Sequence, residues 1–305
     1  MFMKKIAIAI HGGAGGDSAF IRDHLAEYEQ GLKDAVESGY KVLESGGTAV
    51  EAVETAVRSL ENNKYFNAGR GSALNAEGKV EMCTSIMEGN QMKAGAAALV
   101  RNVKNPISFA KNLMEGSEGM YVGGPVTLQM AKEMDLELEP NSYFVTEHQF
   151  DAFREEREKH PGKEKFALHM HGTVGAVAVD KKGNVAAGTS TGGTNFCLPG
   201  RIGDSSMIGV GSYADNRTAA ISCTGDGEYL IREVMAGSIS STIEHTGCST
   251  QEACNHVIHV KNENTEGDLG AIAVDTDGNI GIAFNSERMH RAWKTSEELE
   301  VKIYR

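Results

Sequence analysis

Apolar positions along this chain follow two periods, and glycine marks most of the places where one gives way to the other. An apolar run at about 4–10 predicts a first strand, which enters a glycine loop at 12–16. Helical spacing follows twice. One stretch covers about 19–45 and is closed by Gly46-Gly47; the other covers about 48–62, with Ala49, Val50, Val53, Ala56, Val57 and Leu60 on one face. After the loop Phe66-Asn-Ala-Gly-Arg-Gly-Ser72, strands at about 80–88 and 93–101 flank the hairpin turn Glu88-Gly-Asn-Gln91. Asn105-Pro106 opens a helix to about 115, and another covers about 124–134. Residues 139–171 break the rhythm. Glu155-Glu-Arg-Glu-Lys-His160-Pro-Gly-Lys-Glu-Lys165 is densely charged and shows no core face, so the segment reads as a mobile linker, its first part at most a solvated helix.

Beyond the linker the chain is rich in strands, and one pattern occurs twice. Gly175-Ala-Val-Ala-Val-Asp180-Lys-Lys-Gly183-Asn184-Val and Gly270-Ala-Ile-Ala-Val-Asp275-Thr-Asp-Gly278-Asn279-Ile each give an apolar strand, an Asp-x-x-Gly-Asn turn and a returning strand, which is a β-hairpin. A helical stretch at about 226–260 lies between them. Strands in both halves with helices grouped apart predict sheets covered by helices, an α+β layered fold. Neither half holds enough strands for its own sheet, so the two are expected to share one core.

Composition narrows the picture. With 40% hydrophobic and 24% charged residues, the 305-residue chain has the make-up of an ordinary globular protein with a large core. A net charge of −12 argues against nucleic acid or an anionic membrane as the main partner, because both recruit basic surfaces. The two lysines and short apolar run at the start are too brief for a signal peptide, and no run approaches a membrane span. Cys83, Cys197, Cys223, Cys248 and Cys254 are odd in number and lack CxxC spacing, which fits reduced thiols in a cytoplasmic protein.

The junction His171-Gly172-Thr173-Val174-Gly175 carries the most specific chemistry. A threonine after glycine can cut its own amide: glycine tolerates a strained backbone, the hydroxyl attacks the preceding carbonyl, an N-to-O acyl shift follows, and water frees a new N-terminal threonine. That residue then holds a nucleophile and a base together, since an α-amine with a reference pKa of about 7.7–8.0 is partly neutral at pH 7. The plainer reading is a strand start, because Thr and Val favour strands.

Three polar clusters follow in glycine settings. Thr189-Ser190-Thr191-Gly192-Gly193 ends the hairpin that Thr173 begins, and the turn near 181–184 folds position 191 back beside 173. Pro199-Gly-Arg201-Ile-Gly-Asp204 offers an arginine for a carboxylate and an aspartate for an ammonium, as a zwitterion requires; a surface salt bridge is the alternative. Cys223-Thr224-Gly225-Asp226-Gly227-Glu228 leads into a helix, where backbone N–H groups and the Thr224 hydroxyl suit an oxyanion hole or a plain glycine turn.

Taken together, HGTVGAVAVD, GTSTGG, LPGRIGDS, YADN and SCTGDGE, with AIHGGAGG, NAGRGSALN and MEGNQMKAGA before them, resemble the plant-type asparaginase or isoaspartyl peptidase family of N-terminal-nucleophile hydrolases. The likeness covers nearly the whole chain apart from the linker and the last few residues. It implies a four-layer αββα sandwich and self-cleavage between Gly172 and Thr173. Residues 1–172 (linker about 139–172) and 173–305 would then be subunits of one shared domain. It also implies that Thr173 is the nucleophile, that Thr191 orients it, that Thr224 and Gly225 form the oxyanion hole and that Asn67 supports the nucleophile. Arg201 and Asp204 would grip the α-carboxylate and α-amine of an aspartyl substrate, with Gly225 and Gly227 lending backbone atoms. The implied substrates are isoaspartyl dipeptides and L-asparagine, with no organic cofactor. Carbonyls of Leu60, Glu61, Asn63, Phe66, Ala68 and Arg70 would line a structural sodium site. A dimer of cleaved αβ units is implied as well. Two features depart from the family: a short linker, and Asp226, which brings an anion toward the substrate.

Other readings compete. Gly188-Thr-Ser190-Thr-Gly192 matches G-x-S-x-G, and His11-Gly-Gly-Ala-Gly resembles an esterase oxyanion loop, which would make Ser190 the nucleophile of an α/β hydrolase. That motif needs a helix directly after it, which Gly193-Thr-Asn-Phe-Cys-Leu-Pro199-Gly200 cannot start promptly. Gly12-Gly-Ala-Gly15 lacks the spacing of a dinucleotide loop. His169-x-His171 has no further ligand nearby in sequence. An uncleaved amino-acid-binding module built on Arg201 and Asp204 would need none of the three threonines.

Overall fold

Side-chain parity along the strands decides the layers. The computed structural model describes residues 5–116, 121–159 and 172–305. The first half gives β1 (Ala7–Gly15), α1 (Ala19–Asp23), α2 (Leu25–Glu44), α3 (Ala49–Glu61), β2 (Met82–Glu88), β3 (Ala94–Val100), α4 (Pro106–Gly116), β4 (Tyr121–Gly123), α5 (Val126–Glu133), α6 (Asn141–Phe144) and α7 (Glu147–Lys159). The second gives β5 (Val174–Val179), β6 (Val185–Thr191), β7 (Ser212–Ala214), β8 (Ala220–Gly225), α8 (Gly227–Glu233), α9 (Met235–Thr246), α10 (Thr250–Asn255), β9 (Leu269–Val274), β10 (Ile280–Phe284), β11 (Arg288–Lys294) and β12 (Leu299–Tyr304).

Ile8, Ile10, Ala176 and Ala178 point one way and pack with Leu32 and Val36 of α2 and with Val53 and Val57 of α3. Their neighbours Ala7, Ala9, Val177 and Val179 point the other way, onto Ala220, Ile272 and Val274 of the second sheet. That sheet's outer face, with Ile221, Cys223, Ala271 and Ala273, meets Leu230, Met235 and Ile239 of α8 and α9. Both faces of the central strands are therefore buried, which is why they read as unbroken apolar runs. Four layers result, helices, sheet, sheet and helices: the αββα sandwich that the resemblance implied.

The larger sheet runs β12-β11-β1-β5-β6-β2-β3-β4 and the smaller β10-β9-β8-β7. β1 lies antiparallel between β5 and β11, so residues from both sides of Thr173 interleave in one sheet. Helix α3 begins in a capping box, with Thr48 and Glu51 satisfying each other's backbone N–H groups. No helix among the described residues is long and apolar enough to cross a membrane. All five cysteines are free thiols.

Four element boundaries differ from the periodicity. The glycine loop expected at 12–16 is strand as far as Gly15, because Gly13–Gly15 pair with Arg288–His290 of β11. The helix expected over 19–45 is broken at His24, whose backbone (φ −123°, ψ 26°) is not helical. The stretch expected over 226–260 divides at Val234 and Gly247, both with positive φ, and ends in a π-helical turn at His256–Lys261. The largest difference lies in the supposed linker. Residues 141–159 are mostly helical and docked: Phe144 and Phe153 are buried, and the Phe153 ring lies 5.7 Å from that of Phe196. The surrounding charge concealed two aromatic anchors. The rest of that linker, 160–171, together with the His169-x-His171 pair, lies outside the described residues.

Candidate active site

The β5–β6 hairpin pairs Val174 with Ser190, which sets Thr173 beside Thr191 at its open end. There the Gly172 carbonyl accepts two hydrogen bonds, from Asn67 Nδ2 at 2.7 Å and from Thr191 Oγ1 at 3.1 Å. Asn67 is fixed in turn. Its amide nitrogen also donates to the Gly193 carbonyl at 2.7 Å, and its Oδ1 accepts from the Ala73 N–H at 2.8 Å. The hydrogen bonds of Asn67 and Thr191 thus reach the carbonyl that precedes the expected nucleophile. Two donors aimed at one carbonyl oxygen stabilise the negative charge that would develop there under attack.

The glycine motif at the end of β1 backs onto the same bond. A Cβ on Gly13, whose φ is +113°, would lie 3.0 Å from Gly172 Cα and 3.3 Å from Thr173 N. His11 is buried below it, with Nδ1 2.9 Å from the Thr173 carbonyl and Nε2 2.9 Å from Ser222 Oγ. Facing a carbonyl, Nδ1 must carry the proton, so Nε2 accepts from Ser222. Burial lowers the imidazole pKa to about 3, and His11 is neutral at working pH. The same pair explains Gly175, where a Cβ would overlap both Ser222 Oγ and His11 Nε2. Sequence reasoning missed His11 and Ser222. The available signal was a polar residue ending an apolar run, since a buried imidazole needs partners.

Thr173, Thr191, Arg201, Asp204, Gly225 and Gly227 line a single cavity with Gly172. At about 10 Å³ it holds no more than a water molecule. Arg201 is not free: Glu228 takes its Nε and Nη2 at 2.8–3.0 Å, while Nη1 takes no part in that pairing. This partner was not foreseen. A Cβ on Gly227 would lie 3.0 Å from both Arg201 Nη2 and Asp204 Oδ1, so only glycine lets the three approach. The Thr224 hydroxyl accepts from the Ala14 N–H at 3.2 Å and keeps its own proton to donate. Asp226 does not reach the cavity: its Oδ2 accepts from the Asp268 N–H at 2.9 Å, away from the site.

Ser190 fails as a nucleophile. It is fully buried near the end of β6, its hydroxyl donates to Glu61 Oε1 at 2.7 Å, and no helix follows that strand directly. Glu61 also accepts from Asn105 Nδ2 at 3.1 Å and from the Ile107 N–H at 3.0 Å. Burial still dominates and pushes its carboxyl up to about 7. A carboxyl whose folded pKa is raised binds protons that the unfolded chain has released, so stability falls as pH rises from about 4.5 through 7. Glu61→Gln should remove on the order of 3 kcal/mol of that decline, read as urea unfolding free energy against pH. Equal slopes for the two proteins would contradict the assignment.

The loop after α3 turns carbonyls inward. A Cβ on Gly71 (φ +106°) would lie 2.6 Å from the Phe66 carbonyl oxygen and 2.7 Å from that of Lys64, and one on Gly69 (φ +52°) would overlap the Glu61 carbonyl oxygen. Uncharged oxygens are the kind of donor a hard cation takes; of these, the Glu61 and Phe66 carbonyls also accept from the Arg70 and Ala68 N–H groups at 2.7 and 3.0 Å, and Lys64 is not among the six expected.

A model of the asparaginase family matches residues 4–303 of the chain. The isoaspartyl peptidase of Salmonella typhimurium (strain LT2) is 41% identical over 299 residues, which cover 95% of this chain and 96% of that protein. The isoaspartyl peptidase of Escherichia coli (strain K12) is 40% identical over 299 residues, covering 95% and 93%. A probable isoaspartyl peptidase/L-asparaginase 2 of Arabidopsis thaliana is 37% identical over 323 residues, with 98% of each covered.

Proposed function

The chain belongs to this asparaginase family, and from that premise we propose that it is an amidohydrolase that cuts itself before Thr173 and then hydrolyses isoaspartyl dipeptides and L-asparagine to release L-aspartate. The observation that carries the reading is the grip of Asn67 and Thr191 on the Gly172 carbonyl. A chain that only bound amino acids would have no use for it.

In the first step Thr173 Oγ bonds to the Gly172 carbonyl carbon and the peptide C–N bond breaks. The nitrogen takes a proton and becomes the free amine of Thr173. Water then cleaves the Gly172 ester, leaving a carboxylate on Gly172 and the hydroxyl on Thr173. In the second cycle that amine accepts the hydroxyl proton as Oγ attacks the side-chain carbonyl of the aspartyl unit. Thr224 and Gly225 receive the oxyanion, the amine passes its proton to the leaving nitrogen as the C–N bond breaks, and ammonia or an amino acid departs. Water then hydrolyses the β-aspartyl ester on Thr173, freeing L-aspartate and restoring the hydroxyl. Arg201 and Asp204 hold the α-carboxylate and α-amine, beside the backbone of Gly225 and Gly227. A cavity of about 10 Å³ supports this order of events, because a substrate fits only after Gly172 withdraws.

Carbonyls of Leu60, Glu61, Asn63, Phe66, Ala68 and Arg70 would hold sodium, whose charge would fix the loop that carries Asn67. The free thiols support a cytoplasmic setting, and a dimer of cleaved αβ units belongs to the same reading.

Purified protein incubated with β-aspartyl dipeptides and with L-asparagine should release aspartate from both, measured by amino-acid chromatography. No aspartate from any of them would overturn the reading.

A further inference from the structure

On the other side of Gly172 lies a second cavity, of about 250 Å³, whose wall includes Gly12, Tyr28, Asn67, Arg288 and His290. Gly172 borders both cavities, and their polar chemistry differs. The first pairs Arg201 with Asp204. The second has a buried arginine at its wall.

Arg288 is only 7% exposed, and among the described residues no carboxylate lies within salt-bridge distance of it. Its Nη1 lies 3.0 Å from His290 Nδ1, and its Nε has no partner. Because the guanidinium donates to Nδ1, His290 carries its proton on Nε2, and that N–H is buried without a partner too. Burial and the nearby Arg288 and Arg291 hold His290 neutral. The Tyr28 ring, stacked on His290 at 4.5 Å, keeps it in place. Asp17, the carboxylate on the wall, is engaged elsewhere, accepting from Arg22 Nη1 at 2.6 Å and from the Tyr304 hydroxyl at 3.1 Å.

Arg291 shows the contrast. It is buried three residues along the same strand, and its donors reach the Met289 and Tyr304 carbonyls at 2.8 and 3.0 Å. A structural arginine is satisfied in this way. A buried guanidinium with no anion beside it costs stability, and two orphaned donors add to that cost. The arrangement suits an anion that arrives with a ligand.

We propose that this cavity binds the α-carboxylate of the leaving amino acid of an isoaspartyl dipeptide, with Arg288 and His290 as its donors. The inference rests on the amidohydrolase reading. An isoaspartyl dipeptide has two α-carboxylates, one on each side of the scissile amide. Arg201 and Asp204 serve the acyl side. Once Gly172 withdraws, the two cavities face each other across the place it held, and the leaving residue lies toward Arg288. Asparagine, whose leaving group is ammonia, gains nothing from this site, so Arg288 favours dipeptides.

The test compares β-aspartyl-alanine with its C-terminal carboxamide, which lacks only the second carboxylate, on self-cleaved wild type and on Arg288→Met. In the wild type kcat/KM should favour the acid by about tenfold or more, as expected for a desolvated ion pair. In Arg288→Met the ratio should fall toward one, with Arg288→Lys in between. Removing an unpaired buried charge should leave Arg288→Met at least as stable as wild type in thermal unfolding. Should that variant not fold, the ratio for Arg288→Lys and His290→Gln must still drop. A wild-type ratio near one, or the same ratio in wild type and variants, overturns the proposal. Cleavage of neither peptide overturns the amidohydrolase reading instead. In that case a rise in the wild-type unfolding temperature with the acid but not the amide still supports the carboxylate site, and equal rises overturn it.

Discussion

Thr173→Ala leaves the chain whole, while the wild type yields two fragments, 1–172 and 173–305, by intact mass after overnight incubation. The substitution removes one hydroxyl and little else. The Thr173 carbonyl still accepts from His11, the strand pairing from Val174 onward is unchanged, and the Gly172 carbonyl keeps both its donors. What is lost is the atom that attacks. Hydrolysis of β-aspartyl peptides should vanish with it, by on the order of 10⁶-fold, as when a nucleophile is deleted from other hydrolases. Thr173→Ser keeps the hydroxyl and should still cut. Fragments parting at 172/173 in the alanine variant would mean that another group or another protease does the cutting, and the N-terminal-nucleophile mechanism would fall.

How much of this site was legible in the sequence depended on how far apart its partners lie. Thr191 could be set beside Thr173 because one hairpin with a recognisable turn joins them. Arg201, Asp204, Gly225 and Gly227 came with motifs at consistent spacing, and all four line the cavity at Thr173. Partnerships over long separations were invisible. His11 meets the Thr173 carbonyl across 162 positions, and Glu61 meets Ser190 across 129. No pattern of apolar spacing encodes which buried polar groups will pair, only that they must. Glu228 was quoted within a motif without its role, because a carboxylate gripping Arg201 follows from how α8 turns away from β8. The charged segment misled for another reason. Phe144 and Phe153 are buried, yet the wholly charged run Arg154-Glu-Glu-Arg-Glu-Lys159 that follows hides any helical face. Layer order, by contrast, could be anticipated, since strands apolar on both faces must be covered on both.

Asn67→Asp should slow self-cleavage by about 10²–10³-fold, the usual loss when one donor to a developing oxyanion is removed. The substitution keeps shape and separates two roles. An aspartate oxygen can still accept from the Ala73 N–H, as Asn67 Oδ1 does at 2.8 Å, so the loop retains its anchor. Where Nδ2 donates to the Gly172 and Gly193 carbonyls, both at 2.7 Å, an oxygen would stand against two oxygens. The Gly172 carbonyl would keep only the longer bond from Thr191 and would face a negative charge as it becomes an alkoxide. A first-order rate from fragment appearance, followed by mass spectrometry, measures the effect. The Thr191→Val variant, which removes the 3.1 Å donor alone, should be slowed less. If Asn67→Asp folds and cuts at the wild-type rate, the carbonyl is not where the barrier is lowered. Asn67 would then be a loop anchor, and the activation of the Gly172–Thr173 bond would have to come from the backbone of the Gly13 loop packed against it.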